Sequence, residues 1–250
     1  MRHLLGLFAI AILVTSPSIA ETLITDYDVK ASWKAARVYV PDSFFPTSPE
    51  KVEITAPKKV VVFMHGCDGI NAGAIEWAKF ITSLGFIAVL PDSLSIPQRP
   101  VNCDSRTKQA NLGLVPVRKL RPAEGALAYS EVLKMPWADK NNIFLMGHSE
   151  GGMAAALTRE DGYAGRIISG YKCQRGGIKA EREKPVLVIN WGADPWFDSG
   201  GKSVGQCSDR SFWNKRTNAT QVILAGGGHT TAYETAAKQA VQDFLGRYSK

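Results

Sequence analysis

The sequence predicts an α/β fold in which a mainly parallel central sheet of about eight strands carries helices on both faces. Residues 59–64 and 86–90 consist almost entirely of β-branched, aromatic and other apolar residues, as strands buried on both faces require. Segments with apolar residues at helical spacing separate such runs. Regular alternation of strand and helix is typical of a parallel sheet joined by right-handed crossovers.

Residues 1–20 have the features of a secretory signal peptide. Their start is positively charged, residues 4–14 form an apolar core, and residues 18–20 have the small-residue pattern of a cleavage site. An uncleaved membrane anchor is the alternative, but the apolar run is too short to span a bilayer comfortably. We therefore expect cleavage after about Ala20, no stable membrane span, and a secreted or periplasmic protein.

Residues 21–250 are expected to form a single domain, because no Pro/Ser/Gly-rich linker and no run of like charges divides them. The formal net charge is +7, and the basic residues are scattered rather than arranged in a stripe. No nucleic-acid-binding motif accompanies them. They therefore predict a solvated basic surface and no nucleic-acid partner.

Four cysteines lie outside the predicted signal peptide, namely Cys67, Cys103, Cys173 and Cys207. Exported proteins meet an oxidising compartment where an even number of thiols usually pairs, so two disulfides are predicted. The spacing lacks the Cys-x-x-Cys pattern of zinc and redox sites, so no metal site is predicted.

The first predicted elements are three strands and a helix. Residues 37–40 and 52–55 place β-forming residues between turn residues, which favours two edge strands ahead of the buried strand at 59–64. From 74 to 84 the apolar residues recur at helical spacing. Gly85 follows where a left-handed C-terminal cap is needed.

The middle of the chain combines a strand, a long loop and a helix. The buried strand at 86–90 precedes residues 93–116, which have no convincing periodicity. A loop of this length is typical of a functional segment. A helix is predicted to begin near Pro122, because proline suits the first helical turn, and to end at about residue 134.

The later elements continue the alternation. A strand at 143–146 leads into a tight turn and a helix of small residues, and apolar residues from 232 to 244 mark one face of a closing helix. The other strands are predicted at 166–169, 185–190 and 220–224.

The tight turn at 147–151 has the sequence Gly-His-Ser-Glu-Gly. A preceding strand and a following helix are the setting in which the G-x-S-x-G pattern presents a nucleophile at the edge of a sheet. The N-terminus of the following helix favours a developing negative charge beside it. Ser149 is therefore the candidate nucleophile.

A serine nucleophile needs a base, because a hydroxyl group is a poor nucleophile at neutral pH. Outside the predicted signal peptide the histidines are His65, His148 and His229. His65 lies in the turn after an early strand, and His148 lies inside the nucleophile turn. His229 follows the last strand after three glycines, so it is the candidate base.

The base in turn needs a carboxylate that fixes its tautomer and stabilises its protonated form. Asp194 lies just after the strand at 185–190 and is the candidate acid, whereas Asp198, four positions further on, is the alternative. Asp92 also follows a strand, but it is expected to cap its own turn.

Two backbone N–H groups are expected to form an oxyanion hole. One belongs to Glu150, the residue after the nucleophile, and the other to Cys67 in the loop after the strand at 59–64. The Glu150 side chain is expected to face solvent at the start of its helix, where the helix dipole favours a carboxylate. Asp68 is expected to form hydrogen bonds within its own loop.

Five short motifs in the chain match those of a known family: HGCDGIN at 65–71, LPD at 90–92, GHSEGG at 147–152, GAD at 192–194 and GH at 228–229. With these motifs and the chain order serine, acid, histidine, residues 37–248 resemble an exported member of the dienelactone hydrolase family within the α/β-hydrolase superfamily. The resemblance implies hydrolysis of an ester or lactone bond in a small-molecule substrate through an acyl-enzyme. It implies neither a metal nor an organic cofactor.

The chain departs from that family at three positions. Dienelactone hydrolases proper use a cysteine nucleophile and a glutamate in the first loop, whereas this chain has Ser149 and Gly66. The arginine that often follows the Pro-Asp pair is missing, and Ile96 lies near its place. Arg99 either takes its place or is a solvated loop charge. A serine esterase is therefore better supported than a hydrolase of dienelactones.

The resemblance also bears on the disulfides. The family topology places Cys67 and Cys103 in neighbouring loops, and likewise Cys173 and Cys207, which favours the pairs 67–103 and 173–207. The sequence alone allows three connectivities. The first pair would hold the loop that carries one oxyanion donor, so mild reduction is expected to abolish activity.

Two other functions remain open from the sequence. The same three residues support peptidase or amidase chemistry, because the leaving group decides between these reactions and the sequence does not identify it. The other alternative is a non-catalytic binding protein on this fold. The loop at 93–116 is expected to determine the substrate.

Overall fold

A mostly parallel sheet forms the centre of the computed structural model. The structure describes residues 27–104, 107, 109–111, 114–172, 177–197, 206–207 and 210–250. The predicted signal peptide lies outside the described residues. Within the described ranges, none of the helices is long and apolar enough to cross a membrane.

The main sheet contains seven strands in the order β1-β3-β2-β6-β7-β8-β9 among the described residues. Every neighbouring pair is parallel except β1 with β3. These strands are β1 (Arg37–Tyr39), β2 (Lys58–Met64), β3 (Ile87–Leu90), β6 (Ala138–His148), β7 (Arg166–Ser169), β8 (Val186–Trp191) and β9 (Ala219–Leu224). A separate antiparallel pair consists of β4 (Cys103–Asp104) and β5 (Gln109–Ala110).

Helices cover both faces of the sheet. They are α1 (Lys30–Lys34), α2 (Ala72–Ser83), α3 (Val115–Val132), α4 (Glu150–Leu157), the short α5 (Ser211–Asn214) and α6 (Thr235–Tyr248). Alternate residues of β2 belong to different hydrophobic clusters: Val60 and Val62 pack with α3 and α4, whereas Val61 and Phe63 pack with α2 and α6. The predicted three-layer α/β architecture is therefore confirmed.

One predicted edge strand is wrong, and the main sheet has seven strands rather than about eight across the described residues. Residues 52–55 form no strand and follow a 3₁₀ turn at Pro49–Lys51. Both edges of β2 are already paired, with β3 and β6, so this segment cannot add to the strand that follows it. Val52 and Ile54 instead pack against the core as half-buried side chains.

The predicted start of α3 is also wrong, because the helix begins at Val115 and contains Pro122 in its interior. Pro116 occupies the first turn, where its fixed φ and missing N–H cost nothing. Pro122 is accommodated at the cost of one backbone hydrogen bond. The segment predicted as an unstructured loop therefore contains a 3₁₀ turn at Ser93–Ser95, the β4–β5 pair and the start of α3.

The ends of α2 follow the sequence prediction closely. The Asn71 side chain caps its N-terminus by accepting a hydrogen bond from the Ala74 N–H at 3.0 Å. After the C-cap residue Leu84, Gly85 adopts a φ of +83°, the left-handed conformation predicted for it.

Candidate active site

Ser149 lies on a sharp turn between β6 and α4, with φ +58° and ψ −115°. Only 6% of its surface is exposed. The turn leaves no room for side chains at its flanks: a Cβ on Gly147 would lie 2.0 Å from the Gly151 carbonyl oxygen, and one on Gly151 would lie 1.8 Å from that of Met64. The two glycines of the motif are therefore required by close backbone packing.

His229 and Asp194 meet in the loops that follow β9 and β8. Nδ1 of His229 lies 2.7 Å from Oδ2 of Asp194, and Asp194 is fully buried. The other carboxylate oxygen, Oδ1, accepts a hydrogen bond from the Trp196 N–H at 2.9 Å. Nε2 of His229 is buried and has no hydrogen-bond partner within the described part of the chain. The alternative acid, Asp198, lies outside the described residues.

The loop that carries His229 reaches back across the sheet toward β7. The hydroxyl groups of Thr231 and Ser169 lie 2.7 Å apart, and the Ser169 hydroxyl also contacts Nδ1 of His148 at 3.0 Å. Ser169 thus connects the histidine loop with the nucleophile turn. Sequence reasoning missed Ser169, although its place at the end of a predicted strand was a usable signal.

Aromatic rings surround the His229 imidazole. Trp196 stacks on it with a centroid distance of 5.1 Å, Phe197 approaches edge-on at 5.7 Å, and His148 lies 4.8 Å away. Burial lowers the pKa of His148 well below its usual value, and His229 lowers it further. His148 therefore remains neutral beside the candidate base.

The loop after β2, which carries the predicted oxyanion donor Cys67, lies against the turn at 147–151. The Cβ position of Gly66 is 3.6 Å from the Ser149 Cβ. Glu150 is the first residue of α4, where backbone N–H groups lack partners within the helix. Cys67 and Glu150 thus sit on the two chain segments that flank Ser149.

The predicted solvent-facing position of the Glu150 side chain is wrong. It is fully buried and forms ion pairs with Arg99 and with Arg121, whose Nε lies 2.9 Å from Oε1. Arg99 is buried too, so the interpretation as a solvated loop charge is wrong. Sequence reasoning missed Arg121 entirely, because a single arginine on a predicted helix resembles an ordinary surface residue.

Two further groups complete this buried network. Arg121 also pairs with Glu124 at 3.0 Å, and burial raises the pKa of Glu124 against the opposing effect of Arg121. His65 donates from Nδ1 to its neighbouring carbonyl oxygen at 2.6 Å, and its Nε2 accepts from the Ser93 N–H at 2.9 Å. Burial, followed by the Arg121 charge, lowers the pKa of His65 well below its usual value.

The aspartates of the neighbouring turns have the predicted local roles. Asp92 accepts a hydrogen bond from the Leu94 N–H at 3.0 Å and caps the 3₁₀ turn. Asp68 accepts from the Asn71 side chain at 2.7 Å, which joins its loop to the N-cap of α2. Within the described ranges, no group of three or more His, Cys, Asp or Glu side chains is arranged to hold a metal ion.

One of the predicted disulfides is confirmed. Cys67 and Cys103 are bonded, with their sulfur atoms 2.06 Å apart. Cys207 is also disulfide-bonded. Its predicted partner, Cys173, lies outside the described residues.

The fold is shared with several solved hydrolase structures, although no protein-family model and no curated protein matches the sequence. A candidate dienelactone hydrolase from Klebsiella pneumoniae matches with a TM-score of 0.61 and 15% identity, over 85% of this chain and 92% of that one. A phospholipase/carboxylesterase from Dyadobacter fermentans matches with a TM-score of 0.57 and 16% identity, over 85% and 96%. A dienelactone hydrolase-like promiscuous phosphotriesterase from metagenomic libraries matches with a TM-score of 0.53 and 17% identity, over 78% and 88%.

Each of these three structures is matched over at least 78% of this chain. At such identities they establish the architecture, which the sequence resemblance also predicts. The chain therefore has the α/β-hydrolase fold.

Proposed function

We propose that this protein is a serine hydrolase that cleaves ester or lactone bonds of a small substrate through an acyl-enzyme. The observation that carries the proposal is the 2.7 Å contact between His229 and Asp194 at the sheet edge where Ser149 occupies its sharp turn. The buried carboxylate accepts from Nδ1, so the free Nε2 is left as the proton acceptor.

The proposed reaction proceeds in two stages. His229 takes the Ser149 proton on Nε2 while Oγ attacks the substrate carbonyl, and the backbone N–H groups of Glu150 and Cys67 stabilise the oxyanion. The protonated histidine then gives its proton to the alkoxide leaving group. Water, deprotonated by the same histidine, attacks the acyl-enzyme and releases the acid. In a lactone the leaving alcohol stays attached to the product.

The structural matches support ester hydrolysis over other chemistry of the same triad. Proteins with this fold and similar coverage are named as a carboxylesterase, a dienelactone hydrolase and esterases. Peptide and amide cleavage is retained as an outcome of the test, because the same residues perform it with an amine leaving group.

The test compares the wild-type protein with Ser149→Ala on p-nitrophenyl butyrate and dihydrocoumarin, an ester and a lactone. We expect kcat/KM to fall by at least about 10³-fold, because the nucleophile is lost. A fluorophosphonate should label the wild type at Ser149. Ser83→Ala is the control, since that exposed hydroxyl donates to the Phe80 carbonyl within α2 and contacts no other polar group in the part of the chain that the structure describes. Equal rates for wild type and Ser149→Ala would overturn the proposal.

A panel of p-nitroanilides and short peptides then separates an esterase from an amidase. We expect the ester to be cleaved with a kcat/KM at least about 10²-fold above that of the matched anilide, because p-nitrophenolate is a better leaving group than p-nitroaniline. Comparable values for the two substrates would assign the protein as an amidase or peptidase.

We also propose that residues 1–20 are removed during export, which leaves one domain over residues 21–250. The Cys67–Cys103 disulfide supports folding in an oxidising compartment. Intact-mass measurement of the protein recovered from its natural host is expected to give a chain that begins at Glu21. A chain that retains residues 1–20 would contradict cleavage.

A further inference from the structure

A cluster of four buried charged side chains lies behind the start of α4, and the proposed reaction does not use it directly. Arg121 and Glu124 on α3 have fully buried side chains, as does Glu150. Arg99, in the segment between β3 and β4, exposes only 4% of its side chain. The cluster holds two guanidinium and two carboxylate groups, so its formal charges balance.

Both guanidinium groups converge on one oxygen of Glu150. Nη2 of Arg99 donates to Oε1, and Nε of Arg121 lies 2.9 Å from the same atom. The second oxygen, Oε2, is buried and has no hydrogen-bond partner among the described residues. Loss of either arginine would therefore leave a buried carboxylate held by only one partner.

Arg121 also contacts the loop that carries the other proposed oxyanion donor. Its Nη2 donates to the His65 carbonyl oxygen at 2.6 Å. His65 lies two residues before Cys67, at the end of β2. Arg121 therefore connects the segments that carry both proposed backbone donors, Glu150 on one side and Cys67 on the other.

The segment that carries Arg99 is likewise connected to both sides. Nε of Arg99 donates to the Ser93 hydroxyl at 2.8 Å, and Nη1 donates to the Pro100 carbonyl oxygen at 3.1 Å. Cys103, a little further along the same segment, forms the disulfide with Cys67. Residues 99–103 thus hold Glu150 by an ion pair and Cys67 by a covalent bond.

Stability alone is a poor explanation for such a cluster. Buried ion pairs often contribute no more to stability than well-packed apolar side chains of the same size, because each charge must be desolvated. Ion pairs do impose a defined geometry, and an oxyanion hole requires its donors to be aligned before the charge develops. A misplacement of about 1 Å in such an arrangement can cost about 10²-fold in rate.

We propose that Arg99 and Arg121 are positioning residues that act through Glu150 to hold the first turn of α4, so that the Glu150 N–H points at the oxyanion. The inference rests on the proposed function, because it concerns the same reaction. It extends that function by assigning residues 99–103 a role in holding the two oxyanion donors in place, in addition to the predicted role of their loop in binding the substrate.

Two substitutions that change the net charge of the cluster in opposite directions distinguish positioning from a simple charge effect. Glu150→Gln keeps the shape of the side chain but gives the cluster one net positive charge near the oxyanion, because Glu124 still pairs with Arg121, whereas Arg99→Met gives it one net negative charge. If the cluster acted through its charge, the first variant would raise kcat and the second would lower it. If it acts by positioning, both variants lower kcat.

The experiment measures kcat and KM for p-nitrophenyl butyrate with wild type, Arg99→Met, Arg99→Lys and Glu150→Gln. We expect kcat to fall about 10- to 100-fold in Arg99→Met and Glu150→Gln, with KM changed less than about threefold. Arg99→Lys should recover part of the loss, because it restores one charged contact. Inhibition by a trifluoromethyl ketone, which forms the same oxyanion, should weaken in parallel with kcat/KM.

Arg216→Met is the matched control for a general loss of stability. Arg216 is a half-buried arginine that donates to the carbonyl oxygens of Ala180 and Glu181 near the start of β9, at the opposite end of the sheet. We expect it to lower the unfolding temperature while kcat stays within about twofold. Arg121 is left unchanged in the main test, because its complete burial makes substitutions prone to misfolding.

Unchanged kcat in Arg99→Met and Glu150→Gln would overturn the inference, as would an increase in Glu150→Gln or a loss that merely follows the folded fraction. If the wild type lacks Ser149-dependent hydrolysis, the proposed function fails by that result alone. Hydrogen exchange then tests the positioning separately. The Glu150 N–H should exchange faster in Arg99→Met than in Arg216→Met, and equal rates would reject the inference.

Discussion

Asp194 contributes to the site through one buried carboxylate whose two oxygens have different partners. One accepts the Trp196 N–H and the other accepts Nδ1 of His229 at 2.7 Å. In Asp194→Asn the amide can present an N–H toward Nδ1 and thereby favour the wrong histidine tautomer. We expect kcat to fall about 10³- to 10⁴-fold with little change in KM.

Asp243→Asn is the control for this measurement. Asp243 is an exposed carboxylate on α6 that accepts only from the Gln239 amide among the described residues, so its substitution should leave kcat unchanged. A loss of less than about tenfold in Asp194→Asn would contradict the assignment and make Asp198 the acid to test.

At the residue scale, the sequence was informative where a role depends on a short local pattern. Ser149 was predicted from the turn around it, and Asp92 was predicted to cap its own turn. Glu150 was placed wrongly, since its partner Arg99 lies 51 residues away in the chain. A carboxylate at a helix start has the same local pattern whether it faces solvent or a buried guanidinium.

At the element scale, the contact between β2 and α4 depends on the absence of a side chain at Gly151. A Cβ there would lie 1.8 Å from the Met64 carbonyl oxygen, far inside van der Waals contact. Gly151→Ala must therefore displace the helix from the strand. We expect a loss of at least about 3 kcal/mol in the free energy of unfolding, measured by urea denaturation.

Gly246→Ala provides the opposite case in α6. A Cβ at that position meets nothing within 4 Å, and the residue lies in the last turn of the helix. Alanine loses less backbone entropy in a helix, so we expect a gain of about 0.5–1 kcal/mol in urea denaturation. A loss of stability would mean that the helix end differs from the one described here.

The Cys67–Cys103 disulfide connects the loop after β2 to the β4–β5 pair across a sequence separation of 36 residues. Closing a loop of this length restricts the unfolded chain. We expect Cys67→Ser with Cys103→Ser to lower the free energy of unfolding by about 2–4 kcal/mol. The double substitution leaves the disulfide of Cys207 intact, which a chemical reductant would not.

Activity of this double variant, assayed well below its unfolding temperature, provides a second measurement. We expect kcat to fall, because the backbone N–H of Cys67 loses its covalent anchor. An unchanged kcat would contradict the role proposed for the disulfide in the oxyanion loop, even if the loss of stability is observed.

The elements that the sequence predicted well are those defined by periodicity along the chain. β7 coincides with the predicted strand, and α2 differs by about two residues at its start. The prediction of a strand at 52–55 failed because β-forming residues indicate only a preference for extended structure. They do not show that a sheet edge is available to pair with. The predicted start of α3 was wrong because Pro116 and Pro122 both suit the first turn of a helix, and only packing selects between them.

At the scale of the whole molecule, two buried histidines make stability depend on pH. The pKa values of His65 and His148 are lowered by burial, so both remain neutral in the folded protein at pH values where the unfolded chain binds a proton. The unfolded state then holds more protons, and stability falls as pH decreases below the unfolded pKa of about 6.5.

We expect His65→Gln to reduce this dependence by up to about 1.4 kcal/mol per pH unit between pH 6.5 and the folded pKa. Urea denaturation of both proteins at a series of pH values measures the difference. Wild type must be compared with the variant because Glu124 affects the pH dependence in the opposite direction. The pKa of Glu124 is raised in the folded protein, so its contribution to stability is lost as pH rises. Parallel curves for wild type and variant would contradict a neutral, buried His65.

By itself the sequence determined the alternation of strands and helices, the sharp turn at 147–151, and the residues that follow each strand. These features depend on local hydrophobic periodicity and turn chemistry, which a short stretch of chain contains in full. Only the tertiary structure decided which of those residues meet. Ser169 joins the His229 loop to the turn at 147–151, and Arg99 and Arg121 meet at Glu150. The sheet brings these segments together, and their separations along the chain leave no periodic signal in the sequence.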